Sequence, residues 1–205
     1  MKTLFLTLSL ILVLVAFVTG QNADTTEKKL TDAQWKPLFS ALSNEDWKQA
    51  FDLSSTYLDQ LKNDDNAKSI ANLRYMYLYS AAGEVSEGKM TFEDLEKKIS
   101  IFAGKKIVLP FREISNACQT AFNIICGSTE EKKRAFITAS NKTATTIHSF
   151  EYIELAEDFD FAKNSGKKGA VLGTVKAIVP NPNKSRAIVM RIYISDAKIQ
   201  LADPK

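Results

Sequence analysis

The sequence predicts an α+β protein in which N-terminal helical hairpins, about four helices, are followed by a C-terminal OB-like β-barrel. Three observations carry this. Apolar residues recur at helical spacing from Trp35 to Phe102. After Gly104 the period drops from about 3.6 to about 2. The two longest alternating runs, Ala170 to Val179 and Ala187 to Leu201, are joined by Pro180-Asn181-Pro182-Asn183-Lys184-Ser185, residues that fix or permit turns.

The chain opens on Met1-Lys2-Thr3, an almost unbroken apolar run from Leu4 to Val18, and Thr19-Gly20-Gln21. One positive charge, an apolar stretch and a small-residue exit make a secretory signal peptide over residues 1–20, with cleavage expected before Gln21. The run falls short of the roughly twenty apolar residues that span a bilayer, and no later segment reaches that length, so a soluble product that is secreted or periplasmic is expected. No cysteine lies at the junction to take a lipid. Residues 21–29 are polar and read as a flexible tether; residues 30–103 form the helical segment and 104–205 the β domain.

Trp35, Leu38, Phe39 and Leu42 form one buried stripe, and Trp47, Ala50, Phe51, Leu58 and Leu61 form the next, with Ser43 or Asn44 as its cap. The run Lys62 to Asn66 breaks the pattern, and Asp64 or Asp65 is placed to cap a third helix from Ala67 to about Val85. That helix is apolar or aromatic on nearly every side, so it should be central. Thr91 caps a fourth helix, which carries Phe92, Leu95, Ile99 and Phe102 on one face. Trp47, Phe51, Leu73, Tyr77, Leu95 and Ile99 are expected to hold the segment together.

In the β domain Ile107, Leu109 and Phe111 alternate with Val108, Pro110 and Arg112. A five-stranded barrel would use residues 104–115, 120–127, 134–140, 168–179 and 187–201, leaving 146–165 as an insertion, with Ile147 to Leu155 a further candidate strand. An immunoglobulin-like sandwich is the alternative, but it needs about seven strands. In the final run Ile188, Met190, Ile192 and Ile194 have even parity, whereas Ile199 and Leu201 have odd parity. A β-bulge at Ser195-Asp196 would turn both sets to one interior and leave Arg191 and Tyr193 outside.

The stretches Asn72 to Gly83, Gly88 to Glu96 and Gly173-Thr174-Val175 before Pro180-Asn181-Pro182-Asn183 resemble an uncharacterised family of exported bacterial proteins with this helical and OB-like architecture. The resemblance implies a fold and carries no catalytic or binding residues.

Charge divides unevenly. Residues 21–103 hold 10 Lys/Arg against 14 Asp/Glu, net −4, and residues 104–205 hold 16 against 10, net +6. The charges are scattered, as on an ordinary solvated surface, rather than gathered into a nucleic-acid stripe. His148 is the sole histidine, with no triad partner and no zinc-ligand set near it, so no metal and no cofactor is expected. Cys118 and Cys126 form a possible disulfide if the chain turns near Gln119-Thr120. Glu151, Glu154, Glu157, Asp158 and Asp160 read as solvated surface. Gly166, Gly169 and Gly173 make no phosphate loop, and the glycosylation-like triplets at Asn141 and Asn183 are incidental.

An exported binding or interaction protein without catalytic residues is therefore expected, with Arg191, Tyr193, Phe150 and Tyr152 as ligand-binding residues and a protein, peptide or glycan of the extracytoplasmic space as partner. One rival is a cell-envelope hydrolase using Glu151, Glu154 or Asp158 as paired carboxylates. The other is a single-stranded nucleic-acid binder stacking bases on Phe122, Phe136, Phe150 and Tyr152 beside Lys132, Lys133 and Arg134. Export argues against the latter.

Overall fold

A computed structural model describes residues 29–61, 68–118 and 122–203. The expected signal peptide, nearly all of the expected tether, residues 62–66 and the expected turn near Gln119-Thr120 lie outside the described residues. Four helices come first: α1 (Asp32–Asn44), α2 (Trp47–Leu61), α3 (Lys68–Ser86) and α4 (Phe92–Ile99), the last running into a 3-10 turn at Ser100–Phe102. The strands are β1 (Lys106–Ser115), β2 (Ile125–Cys126), β3 (Arg134–Ser140), β4 (Ile147–Leu155), β5 (Lys168–Pro180) and β6 (Ile188–Leu201), with a short α5 (Phe161–Asn164) between β4 and β5.

Side-chain oxygens satisfy the free amides at the helix starts. Thr91 Oγ1 accepts from the Asp94 amide at 3.1 Å to open α4. The cap of α2 is Asp46 rather than Ser43 or Asn44: Glu45 adopts left-handed backbone, φ 57°, to close α1. Asp46 Oδ1 then accepts from the Gln49 amide at 3.1 Å. Helix α3 is central, as its composition requires. Ile70, Leu73 and Met76 enter a core shared with α1 and α2, while Tyr77, Leu78, Ala81 and Val85 enter the core that continues into the barrel. Of the six residues expected to hold the helices, five are buried and Phe51 is half-buried against the main core.

The six strands close into a barrel in the order β1-β2-β3-β4-β6-β5. All neighbours are antiparallel except β1 with β2 and β4 with β6. That order, with a helix between β4 and β5, is compatible with an OB-like barrel. Two expectations need correction. The stretch 146–165 is not an insertion, because Ile147–Leu155 is a full barrel strand between β3 and β6. Among the described residues of 120–127 only Ile125–Cys126 is a strand, the two-residue β2 that bridges β1 to β3.

The parity of β1 also differs from simple alternation. Its register against β5 shifts between Leu109 and Arg112, so Ile107 and Leu109 are buried before the irregularity and Arg112 and Ile114 after it. Pro110, which cannot donate to a ladder, sits at that shift. Arg112 is thereby turned inward and Phe111 is only half-buried.

The expected bulge in β6 is present. Ile194 pairs Ile153, but the next partner of β4 is Ala197 opposite Leu155, and Asp196 takes φ 51°. Met190, Ile192 and Ile194 before the bend and Ala197 after it are buried, and Ile199 packs against the same core; Leu201, expected to face the interior as well, is exposed because it lies at the strand end.

Helices and barrel are joined by polar contacts as well as by the core. Tyr79 donates to the Ser140 carbonyl at 2.6 Å, Arg74 Nη1 to the Lys106 carbonyl at 3.0 Å, and the Lys142 amide to Glu45 Oε1 at 2.6 Å. Lys184 pairs with Glu93 between the β5–β6 loop and α4.

Candidate functional site

The outer face of β3, β4 and β6 is built by alternation. Ala135, Ile137 and Ala139 of β3 and Ser149, Glu151 and Ile153 of β4 are buried, so their sequence neighbours Phe136, Phe150 and Tyr152 stand on the other side. Parallel pairing of β4 with β6 sets Phe150 beside Arg191 and Tyr152 beside Tyr193. The four residues nominated from sequence, Arg191, Tyr193, Phe150 and Tyr152, thus lie together on one face.

Their rings make a ladder. Phe150 stacks on Phe136 at 5.9 Å between centroids, Phe136 meets Tyr152 edge-on at 5.2 Å, and Tyr152 stacks on Tyr193 at 5.0 Å with an interplanar angle of 12°. These separations are those of mutually attractive aromatic pairs. Tyr152 is 40% exposed, so the ladder presents an open ring rather than a buried one. Arg191 is exposed at one end, opposite Val179 of β5, itself 42% exposed.

At the other end the ladder floors a shallow cavity of about 560 Å³, walled by Cys118, Cys126 and Ser128 and edged by Glu131, Arg134, Glu154 and Lys176. Cys118 is bonded to Cys126, with Cα atoms 5.2 Å apart, which fixes that wall against the end of β1. Arg134 pairs with Glu131 at 3.3 Å on the surface. The edge therefore mixes two cations with two carboxylates.

The other candidates fall elsewhere. Phe122 is exposed and, among the described residues, makes no ring contact with this ladder. Lys132 and Lys133 line an adjoining depression that shares Glu131 and Arg134 with this cavity and adds Glu130 and Asp158. Glu154, Glu157, Asp158 and Asp160 are exposed, as expected, but Glu151 is not. It is fully buried inside the barrel, where Ser149 Oγ donates to its Oε1 at 2.9 Å, and burial pushes its carboxyl above the usual range. Three positions along β4 separate Glu151 from Glu154, so they face opposite sides of the sheet and cannot share a substrate.

His148 is also fully buried, but on the helix side of β4, with its ring 4.8 Å from Trp47 and 4.6 Å from Tyr79. Neither ring nitrogen has a hydrogen-bond partner, and burial lowers its pKa to about 4. No group of three or more metal-ligating side chains occurs among the described residues.

Lys176 was not distinguishable in the sequence as a site residue, and Glu154 was nominated there only as a carboxylate of the hydrolase reading, not as part of this face. Compared with protein-family models, with curated proteins and with solved structures, the chain matches none. Among the described residues no helix is long and apolar enough to cross a membrane.

Proposed function

We propose that the chain is an exported binding protein whose OB-like barrel holds a neutral oligosaccharide across the outer face of β3, β4 and β6. The observation that carries this is the continuous ring ladder Phe150, Phe136, Tyr152 and Tyr193, open to solvent at Tyr152. Flat aromatic faces suit the apolar faces of sugar rings, and the mixed edge of Glu131, Arg134, Glu154 and Lys176 suits hydroxyl groups, which both donate and accept. In OB-like barrels the corresponding strand face is a recurrent site for oligosaccharides and oligonucleotides. A polyanion is the poorer fit, because Glu131 and Glu154 stand where phosphates would run, and binding to phosphates needs cations there. The separation of Glu151 from Glu154 across the sheet favours binding over hydrolysis.

Titration of the protein with a panel of neutral oligosaccharides, followed by NMR, should move Tyr152 and Tyr193 resonances. Tyr152→Ala should weaken binding by about tenfold or more, the loss of roughly one stacked ring. Saturable binding of single-stranded DNA with a steep salt dependence, and no response to any saccharide, would replace the proposal with the nucleic-acid reading.

A further inference from the structure

A second cavity, of about 600 Å³, lies away from the aromatic face, between α1, α3 and β1. Phe39 and Leu42 of α1, Met76 of α3 and Val108 of β1 make most of its wall apolar, and Arg112 stands at its base with Tyr75 and Asn123. Its size falls in the range of small-molecule sites, and its pattern of apolar walls around a few convergent polar groups is theirs too.

Arg112 is the unusual feature. Its side chain is in a residue only 9% exposed, brought inward by the irregularity at Pro110. Nη1 donates to Asn123 Oδ1 at 2.6 Å and Nη2 to the Tyr75 hydroxyl at 2.6 Å, both neutral acceptors. Nε is buried with no partner, and among the described residues no carboxylate lies within ion-pair distance. A buried cation is ordinarily paired, since an unpaired one is costly. Glu151, whose field reaches Arg112, is engaged inside the barrel by Ser149. Burial raises the pKa of its carboxyl while the Arg112 guanidinium and the Ser149 and Tyr75 hydroxyls work against the rise, and Glu151 does not line the cavity. At the rim Glu113 and Lys168 are register partners across β1 and β5 and offset each other, leaving one net positive charge on the cavity.

We propose that this cavity is a ligand site for a small apolar molecule ending in a single carboxylate, its chain against Phe39, Leu42, Met76 and Val108 and its head on Arg112. One net charge selects a monoanion over a phosphate dianion, and the planar guanidinium is the donor best matched to a carboxylate. The site is independent of the aromatic face and stands or falls without it.

The test is calorimetric titration of the wild-type protein with decanoate, 1-decanol and decylammonium. Decanoate should bind with one-to-one stoichiometry, and the alcohol should bind about tenfold or more weakly, the cost of losing a charge-assisted contact. The ammonium should not bind. Leu42→Trp, which fills the cavity without touching the charge, should abolish decanoate binding while oligosaccharide binding persists. Arg112→Gln, where it folds, should equalise acid and alcohol. Absence of decanoate binding, equal affinity for all three heads, or unchanged affinity in Leu42→Trp would each overturn the proposal.

Discussion

His148 makes a prediction about pH that can be worked through. Its imidazole is buried between Trp47 and Tyr79 with both nitrogens unpartnered, and burial lowers its pKa from 6.5 to about 4. Between these values the unfolded chain binds a proton that the folded chain does not, so stability falls as pH falls through that window. Lowering the pKa from 6.5 to about 4, at 1.36 kcal/mol per pH unit, amounts to a penalty of about 3 kcal/mol on the folded chain, absent above pH 6.5 and complete below pH 4. Glu151 opposes it: its raised pKa makes the folded chain hold a proton that the unfolded chain has released, which favours folding as pH falls. The wild-type slope alone is therefore ambiguous. Subtracting the curve of His148→Phe, which keeps a ring against Trp47 and Tyr79 and removes two buried unpaired nitrogens, isolates the histidine. Urea unfolding at pH 4, 5, 6 and 7 should show the variant at least as stable as wild type at pH 7 and more so, by about 3 kcal/mol further, at pH 4. A histidine titrating near 6.5 by NMR, or parallel pH curves for the two proteins, would refute the reasoning.

Two further predictions concern packing and the disulfide. A Cβ at Gly83 would lie 2.2 Å from the Trp47 ring, itself held between α3 and β4, so Gly83→Ala should cost about 1–3 kcal/mol by chemical denaturation despite the better helix propensity of alanine. A variant as stable as wild type would mean that Trp47 has room to move. Breaking the Cys118–Cys126 bond, which spans 8 positions, by Cys118→Ser with Cys126→Ser should lower stability by about 2.5 kcal/mol on the loop-entropy estimate, and adding reductant should then change the melting temperature of wild type only. Equal melts in reductant and without it would show that the bond adds nothing to stability.

How far the fold could be read depended on what each strand hides. The helices were legible because their buried faces are apolar at helical spacing, and α3 was recognisable as central because it has no polar side. The switch to alternation at Gly104 located the barrel, and the β6 bulge could be inferred because residues on both sides of it, Ile194 and Ile199, are apolar and differ in parity. Strand β4 was harder. Its inward positions begin with Ser149 and Glu151, and a buried carboxylate inside an acidic stretch reads as solvated surface until the residues around it are placed. The same blindness affected β1, where the irregularity at Pro110 reverses parity and sends Arg112 inside. Alternation reports the pleat, but it cannot report a polar group that tertiary structure has chosen to bury.

The aromatic face shows the opposite case, in which composition was more informative than any one parity assignment. Phenylalanines at alternating positions are usually core, yet in β3 the inward residues are Ala135, Ile137 and Ala139 and the large ring of Phe136 faces out. A narrow closed barrel explains the inside, since its lumen takes small side chains beside larger ones in alternating layers. It does not explain the outside. Four rings gathered on the solvent side of three adjacent strands contribute nothing to the barrel interior, and one of them, Tyr152, remains 40% exposed where a polar residue would cost nothing to the pleat. The proposed oligosaccharide site rests on this ladder of three half-buried rings and one exposed ring. The hidden polar groups bear on the other cavity by the same logic: Arg112 is costly where it stands, and the neutral Tyr75 and Asn123 return only part of that cost. Both departures from the ordinary rule, rings outside and a cation inside, fall at surfaces large enough to hold a ligand, which is why the two proposals rest on them rather than on the regular parts of the fold.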